Sequence, residues 1–124
     1  FDIDHEGTDS FRHRKAGAKE VILASRKRWV LIHELFDEPE KDFDFLVNSI
    51  SPTDLILVEG FKEEVHNKIE VIRAENKKIP IYKSDNGILA IVSDYKISDI
   101  SLPIFNLEEI SKIADFILRK TYLK

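Results

Sequence analysis

The 124-residue chain contains no cysteine. A disulfide framework and a thiolate metal site are thereby excluded, and the expected compartment is the reducing cytoplasm. There is no excess of positive charge either. Lys and Arg number 19 against 23 Asp and Glu, a net charge of −4, which argues against a nucleic-acid partner, since such proteins carry a basic footprint. No apolar run approaches the roughly 18 residues of a membrane span, and none of the residues form a signal-peptide pattern. His5 and His13 have no zinc-type spacing with cysteine. His33 and His66 read as surface residues, and no Ser/His/Asp order points to acyl transfer. Internal repeats, low-complexity tracts and linkers are also lacking. What is present is 43% hydrophobic residues, enough for one compact core and a single α/β domain over residues 1–124.

Along the chain, Thr8, Asp9 or Ser10 caps a short helix that runs to about Ala16 and stops at Gly17. Val21–Ala24 and Trp29–Ile32 are short apolar runs that predict strands. Pro39 suits a helix start, and Phe43, Leu46, Val47 and Ile50 share one helical face. After Ser51-Pro52-Thr53, residues 54–59 predict a strand. Its four apolar residues are continuous, as in a parallel sheet covered on both sides. Strands are also expected over 68–73 and 88–92, with a turn at Asp85-Asn86-Gly87 between them. Asn106 and Glu109 form a capping box for a last helix, whose apolar stripe is Ile110, Ile113, Ala114, Ile117 and Leu118. Strands alternating with helices predict a largely parallel sheet, with ligands at the carboxyl ends of its strands.

Three expected strand ends are polar: Glu59-Gly60, Arg73 and Ser93-Asp94. Glu59 follows an apolar strand in the manner of a Walker B acid, where a hard oxygen holds Mg²⁺ beside phosphates. Gly60 lets the backbone turn close to a ligand. Read without its neighbours, Glu59 is equally an exposed strand-end acid. Asp94 either accepts from the edge of a guanine or satisfies its own turn. Arg73 either meets a base or phosphate or is a surface arginine. Nearer the start, Asp2, Asp4, His5, Glu6 and Asp9 precede Arg12, His13, Arg14 and Lys15. That pattern is either a solvated, charge-balanced loop or a cation site beside a phosphate-facing helix. Trp29, the single tryptophan, is expected at a core edge or a subunit contact.

The order of these pieces carries more than any one of them. Asp9-Ser10-x-Arg12-x-Arg14-x-Ala16-Gly17-Ala18 comes first. Val58-Glu59-Gly60-Phe61-Lys62, Lys68-Ile69-Glu70-Val71-x-Arg73 and Ala90-Ile91-Val92-Ser93-Asp94 follow. This succession closely resembles the molybdopterin-guanine dinucleotide biosynthesis protein B (MobB) family over essentially the whole chain. The resemblance implies a P-loop NTPase-like α/β fold and a homodimer that binds GTP with Mg²⁺ and hydrolyses it weakly. It implies a partner guanylyltransferase that attaches GMP to molybdopterin. It also implies site residues. Glu59 corresponds to the catalytic Walker B-like acid and a metal ligand, with Asp4 beside it on the metal side. Asp9, Ser10, Arg12, Gly60, Arg73, Ser93 and Asp94 correspond to nucleotide-binding positions. The family's Gly-x-x-x-x-Gly-Lys-Ser/Thr phosphate loop does not occur in these 124 residues. The abrupt start at Phe1-Asp2-Ile3-Asp4 leads to the expectation that a P-loop-bearing segment precedes it. The rival expectation is a dimeric, non-catalytic adaptor that delivers cofactor or nucleotide, with Arg26-Lys27-Arg28 meeting an acidic partner or the pterin phosphate.

Overall fold

A computed structural model describes residues 3–122 of the chain, with no side-chain description at Tyr122. Asp2, named above in the N-terminal acidic cluster, lies outside the described residues. The chain divides between Ile50 and Ser51 into two compact units.

The first unit opens with helix α1, Asp9–Lys15. Thr8 is its N-cap: the hydroxyl accepts from the Phe11 N–H and donates to the His5 carbonyl. The helix stops at Ala16, and Gly17 takes a φ of +106°, which glycine adopts without a Cβ penalty. Strands β1, Glu20–Ala24, and β2, Trp29–His33, then pair antiparallel, from Glu20 opposite His33 to Ala24 opposite Trp29. This hairpin departs from the largely parallel sheet expected. Only Ser25–Arg28 connects the two strands, whereas a parallel pair needs a crossover of a dozen or more residues. Ser25 closes the turn, its N–H donating to the Arg28 carbonyl and its Oγ accepting from the N–H groups of Lys27 and Arg28. The second helix, α2, spans Phe43–Asn48 and starts later than Pro39 suggests, because the Asp42 carboxylate caps it through the Phe45 N–H.

The second unit is built on a three-stranded parallel sheet in the order β3-β4-β5: Lys68–Ile72, Ile88–Ser93 and Ile104–Asn106. β4 is central and carries most of the core. Ile88, Ala90, Ile91 and Val92 are buried with Ile72 and with Phe116 of helix α3, Ile110–Tyr122. Phe116 meets Phe105 of β5 edge to face at 5.5 Å. The expected Asn106–Glu109 hydrogen bonding is present, the Asn106 N–H donating to Glu109 and the Asn106 side chain accepting from the Glu108 N–H, but it closes the turn after β5, because Asn106 ends that strand and α3 starts only at Ile110. The buried stripe of α3 is different. Ile110 and Leu118 are exposed, and Phe116 supplies the buried contact instead. Apolar spacing alone leaves a wide arc, and within it the large ring that reaches Phe105 decides which side faces the sheet.

The strand expected over residues 54–59 does not form. Residues 55–59 are without regular structure and Leu57 is 76% exposed. A continuous apolar run becomes a buried strand only when ladders flank it, and among the described residues no strand pairs with this one.

Gly87 has a steric task at the entry to β4. A Cβ there would lie 2.8 Å from the His66 backbone oxygen and 3.0 Å from Asp85 Oδ1. The Gly87 N–H donates to Asp85 Oδ1, its carbonyl accepts from the Lys68 N–H, and Lys68 Nζ binds Asp85 Oδ2 at 2.8 Å. Gly87→Ala should therefore cost about 1–3 kcal/mol, the usual range for overpacking where backbone must move. A urea-unfolding midpoint equal to that of the parent chain would contradict this.

Candidate functional site

The residues singled out from sequence fall into two groups, one in each unit, and each is described by itself. In the first unit they gather on and beside α1. Asp9 occupies its first turn and Arg12 is exposed. Ser10 is buried, 5% exposed, and its hydroxyl lies 3.2 Å from that of Thr8. Asp4 sits just before the helix at a left-handed φ of +55°. Its Oδ2 lies 2.8 Å from Arg14 Nε, which is also 3.4 Å from Glu34 Oε1. The Asp4 contact is an ion pair without hydrogen-bond alignment, since Arg14 Nε has no hydrogen-bond partner and neither does the buried Asp4 Oδ1. The Arg14 guanidinium also stacks over Phe11, 5.0 Å from its centroid. The spacing signal that places acids before basic residues therefore resolves into a definite pairing, with Arg14 rather than Arg12 as its centre.

In the second unit, Arg73, Ser93 and Asp94 converge at the carboxyl ends of β3 and β4. The register sets Ile72 opposite Ser93, so the two strands release Arg73 and Asp94 side by side. Ser93 is 3% exposed, and its Oγ donates to the Tyr95 carbonyl and accepts from the Tyr95 N–H. Asp94 Oδ1 accepts from the Ala74 N–H at 3.0 Å, which ties β4 to the 3₁₀ turn Ala74–Asn76 beginning after Arg73. Arg73 is exposed, with Nη1 3.6 Å from Glu75. Glu59 is exposed at the end of the irregular segment. Gly60 at φ +84° and Phe61 at φ +53° follow, two successive left-handed residues that turn the chain sharply. A left-handed φ is uncommon for a bulky residue such as Phe61, which marks this turn as a specified conformation.

Glu70 was visible in sequence only as part of a motif. Its two carboxylate oxygens accept from the N–H groups of Ile81 and Tyr82, each at 2.9 Å, and so pin the connection between β3 and β4. A charged residue on a strand next to an apolar central strand was the available signal.

These side chains fit a magnesium–nucleotide only in part. Mg²⁺ is usually held by one or two carboxylates together with water and phosphate oxygens. Glu59 suits that role, and Asp4 Oδ1 is an unpartnered acceptor. Against this, Arg14 already neutralises Asp4, and no cluster of three or more His, Asp or Glu residues able to hold a metal exists among the described residues. The backbone cradle for phosphates has no counterpart motif in these residues. Chemically, the arrangement offers one exposed carboxylate behind a sharp turn and a separate strand-end cluster of arginine, serine and aspartate.

A solved structure of molybdopterin-guanine biosynthesis protein B superposes with a TM-score of 0.70 at 27% identity, covering 90% of this chain and 74% of that one. Two curated relatives, both named molybdopterin-guanine dinucleotide biosynthesis adapter protein, are each 37% identical. The Escherichia coli protein aligns over 121 residues, 95% of this chain and 69% of its own length; the Haemophilus influenzae protein aligns over 115 residues, 93% and 64%. The chain thus spans about two thirds of the length of these relatives. The mixed α/β architecture with its parallel sheet is consistent with the P-loop NTPase-like class expected. Residues 1–94, which run from the α1 cluster through Glu59-Gly60 to Ser93-Asp94, match the family model for molybdopterin guanine dinucleotide synthesis protein B, and the chain belongs to that family.

Proposed function

We propose that the protein is a GTP-binding accessory factor in molybdopterin guanine dinucleotide biosynthesis, assisting a cytoplasmic guanylyltransferase. Family membership carries this reading: the match runs continuously through both groups of site residues. In it, Glu59 orients Mg²⁺ or its water, and Asp4 supports the metal side. Asp9, Ser10 and Arg12 serve the phosphate side. Gly60 permits close backbone approach, while Arg73, Ser93 and Asp94 meet the base. Mg²⁺ would supply charge neutralisation at the phosphates. The protein acts as a homodimer, and molybdopterin reaches the guanylyltransferase with its help.

Calorimetric titration of the full-length gene product with GTP and with ATP, each with Mg²⁺, tests the ligand. GTP should bind at least about tenfold more tightly than ATP, a difference of ~1.4 kcal/mol. Equal affinities would remove Asp94 from base selection. Glu59→Gln should weaken Mg²⁺-dependent GTP binding by about tenfold; an unchanged magnesium dependence would take Glu59 off the metal side.

The relatives' name, adapter protein, favours a second reading, in which a dimeric adaptor delivers cofactor or nucleotide without catalysis of its own. Stimulation of the guanylyltransferase by a variant that no longer binds nucleotide distinguishes it: retained stimulation supports the adaptor and lost stimulation supports the GTP-dependent factor.

A further inference from the structure

Three ionisable side chains meet at the open end of the β1–β2 hairpin. His33 Nδ1 lies 3.0 Å from Glu20 Oε2, and His33 Nε2 lies 2.8 Å from Glu38 Oε2. A neutral imidazole has one N–H and one lone pair, so both contacts are hydrogen bonds only when both ring nitrogens carry protons. The two carboxylates are held differently. Glu20 is placed opposite His33 by the strand register. Glu38 belongs to the segment between β2 and α2. Glu34 still extends the hairpin, its N–H donating to the Lys19 carbonyl at 2.8 Å; beyond it residues 35–42 pair with no strand and contain Phe36 at a left-handed φ of +48°.

We propose that His33 is a proton-operated clamp: as an imidazolium it ties residues 35–42 to the hairpin through Glu38, and on losing a proton it releases them while keeping Glu20. The ladder holds Glu20 in place. For Glu38 the nearby Lys19 Nζ lies at 4.0 Å, too far for a hydrogen bond, so it does not replace the 2.8 Å His33 contact.

In the segment itself the other acidic groups are Asp37, Glu40 and Asp42, the last of which caps α2. Lys19 precedes β1, and Lys41, from the segment leading into α2, acts on Glu38 through space. Glu34, next to His33, is engaged by Arg14 of α1, which also pairs with Asp4. The other ionisable groups of α1, which packs against β1, are Asp9, Arg12, His13 and Lys15. The hydrogen bond to Glu20 first, and that to Glu38 second, raise the His33 pKa above its ordinary 6.5, with desolvation opposing them. The hydrogen bond from His33 in turn lowers the Glu38 pKa. The sign follows. For a raised histidine pKa, the clamp contributes fully below 6.5 and is lost as pH rises through the higher folded value.

The test is a proton and nitrogen NMR titration of the full chain from about pH 5 to 9, following the His33 ring and the Phe36 and Glu38 amides. The expected result is a His33 midpoint above 6.5, two protonated ring nitrogens below it, and amide shifts in Phe36 and Glu38 with the same midpoint. Glu38→Gln should move the midpoint down towards 6.5 without unfolding the hairpin. A His33 midpoint at or below 6.5 overturns the clamp. So do Phe36 and Glu38 amides indifferent to His33 titration, or a midpoint unmoved by Glu38→Gln.

Discussion

Ile91→Ala should destabilise the second unit by about 2–5 kcal/mol, the range for removing a fully buried Ile side chain and leaving a cavity. Ile91 is fully buried, at 0% exposure, in the central strand, with Glu70 opposite on one side and Ile104 on the other. Its N–H donates to the Pro103 carbonyl, so it also anchors the short β5 edge. Neighbouring side chains cannot close the gap easily because backbone ladders hold β4 on both edges. Small domains are stable by only about 5–15 kcal/mol, so the variant should sit near its unfolding threshold. The contrasting position is Val71, one strand over and 58% exposed. Val71→Ala should stay within about 0.5 kcal/mol of the parent. Urea unfolding of both variants measures the difference. A loss below about 1 kcal/mol at Ile91 would mean that β4 is not the centre of the core.

Glu70→Ala is expected to cost about 1.5–3 kcal/mol, a range typical of hydrogen bonds to a charged acceptor. Both oxygens of this half-buried carboxylate are used, one by Ile81 N–H and one by Tyr82 N–H. Alanine leaves two backbone donors without their acceptor, in a segment where water reaches them only partly. Glu70→Gln provides a graded control. It keeps one carbonyl acceptor but turns an amide NH₂ towards the second donor, so its loss should fall between those of the parent and Glu70→Ala. Hydrogen exchange at Ile81 and Tyr82 should accelerate in the same order. Fast global unfolding with unchanged local protection at these two amides would show that Glu70 does something other than hold this connection.

The elements that sequence foretold share a local cause. The α1 cap at Thr8 and the stop at Gly17, the Asn106–Glu109 box and the Asp85-Asn86-Gly87 turn each close within a few residues, so side-chain chemistry alone specifies them. Apolar runs likewise marked β1, β2 and β4, and alternation marked β3. The misreadings share a cause as well. The 54–59 run has the composition of a buried strand, but a strand exists through its partners, and composition does not supply them. The apolar stripe read for α3 left out Phe116 because periodicity identifies only an arc, and the contact of Phe116 with Phe105 chooses the buried side within it.

For the candidate site, the order of motifs was enough to place the chain in its family and to single out Glu59-Gly60 and Ser93-Asp94. What those residues touch was decided only in three dimensions. Parallel register brings Arg73 beside Asp94, although 20 positions separate Asp94 from the Ala74 N–H it accepts. Proximity in the folded chain selects Arg14 as the partner of Asp4, and a hairpin register places His33 between two carboxylates. Sequence by itself determined that these 124 residues hold no thiol, the local caps and turns, and the family. Tertiary structure alone determined the ladder partners, the buried face of α3 and the pairing of charges, because each depends on which distant backbone segment lies alongside, a choice made by cooperative packing rather than by neighbouring residues.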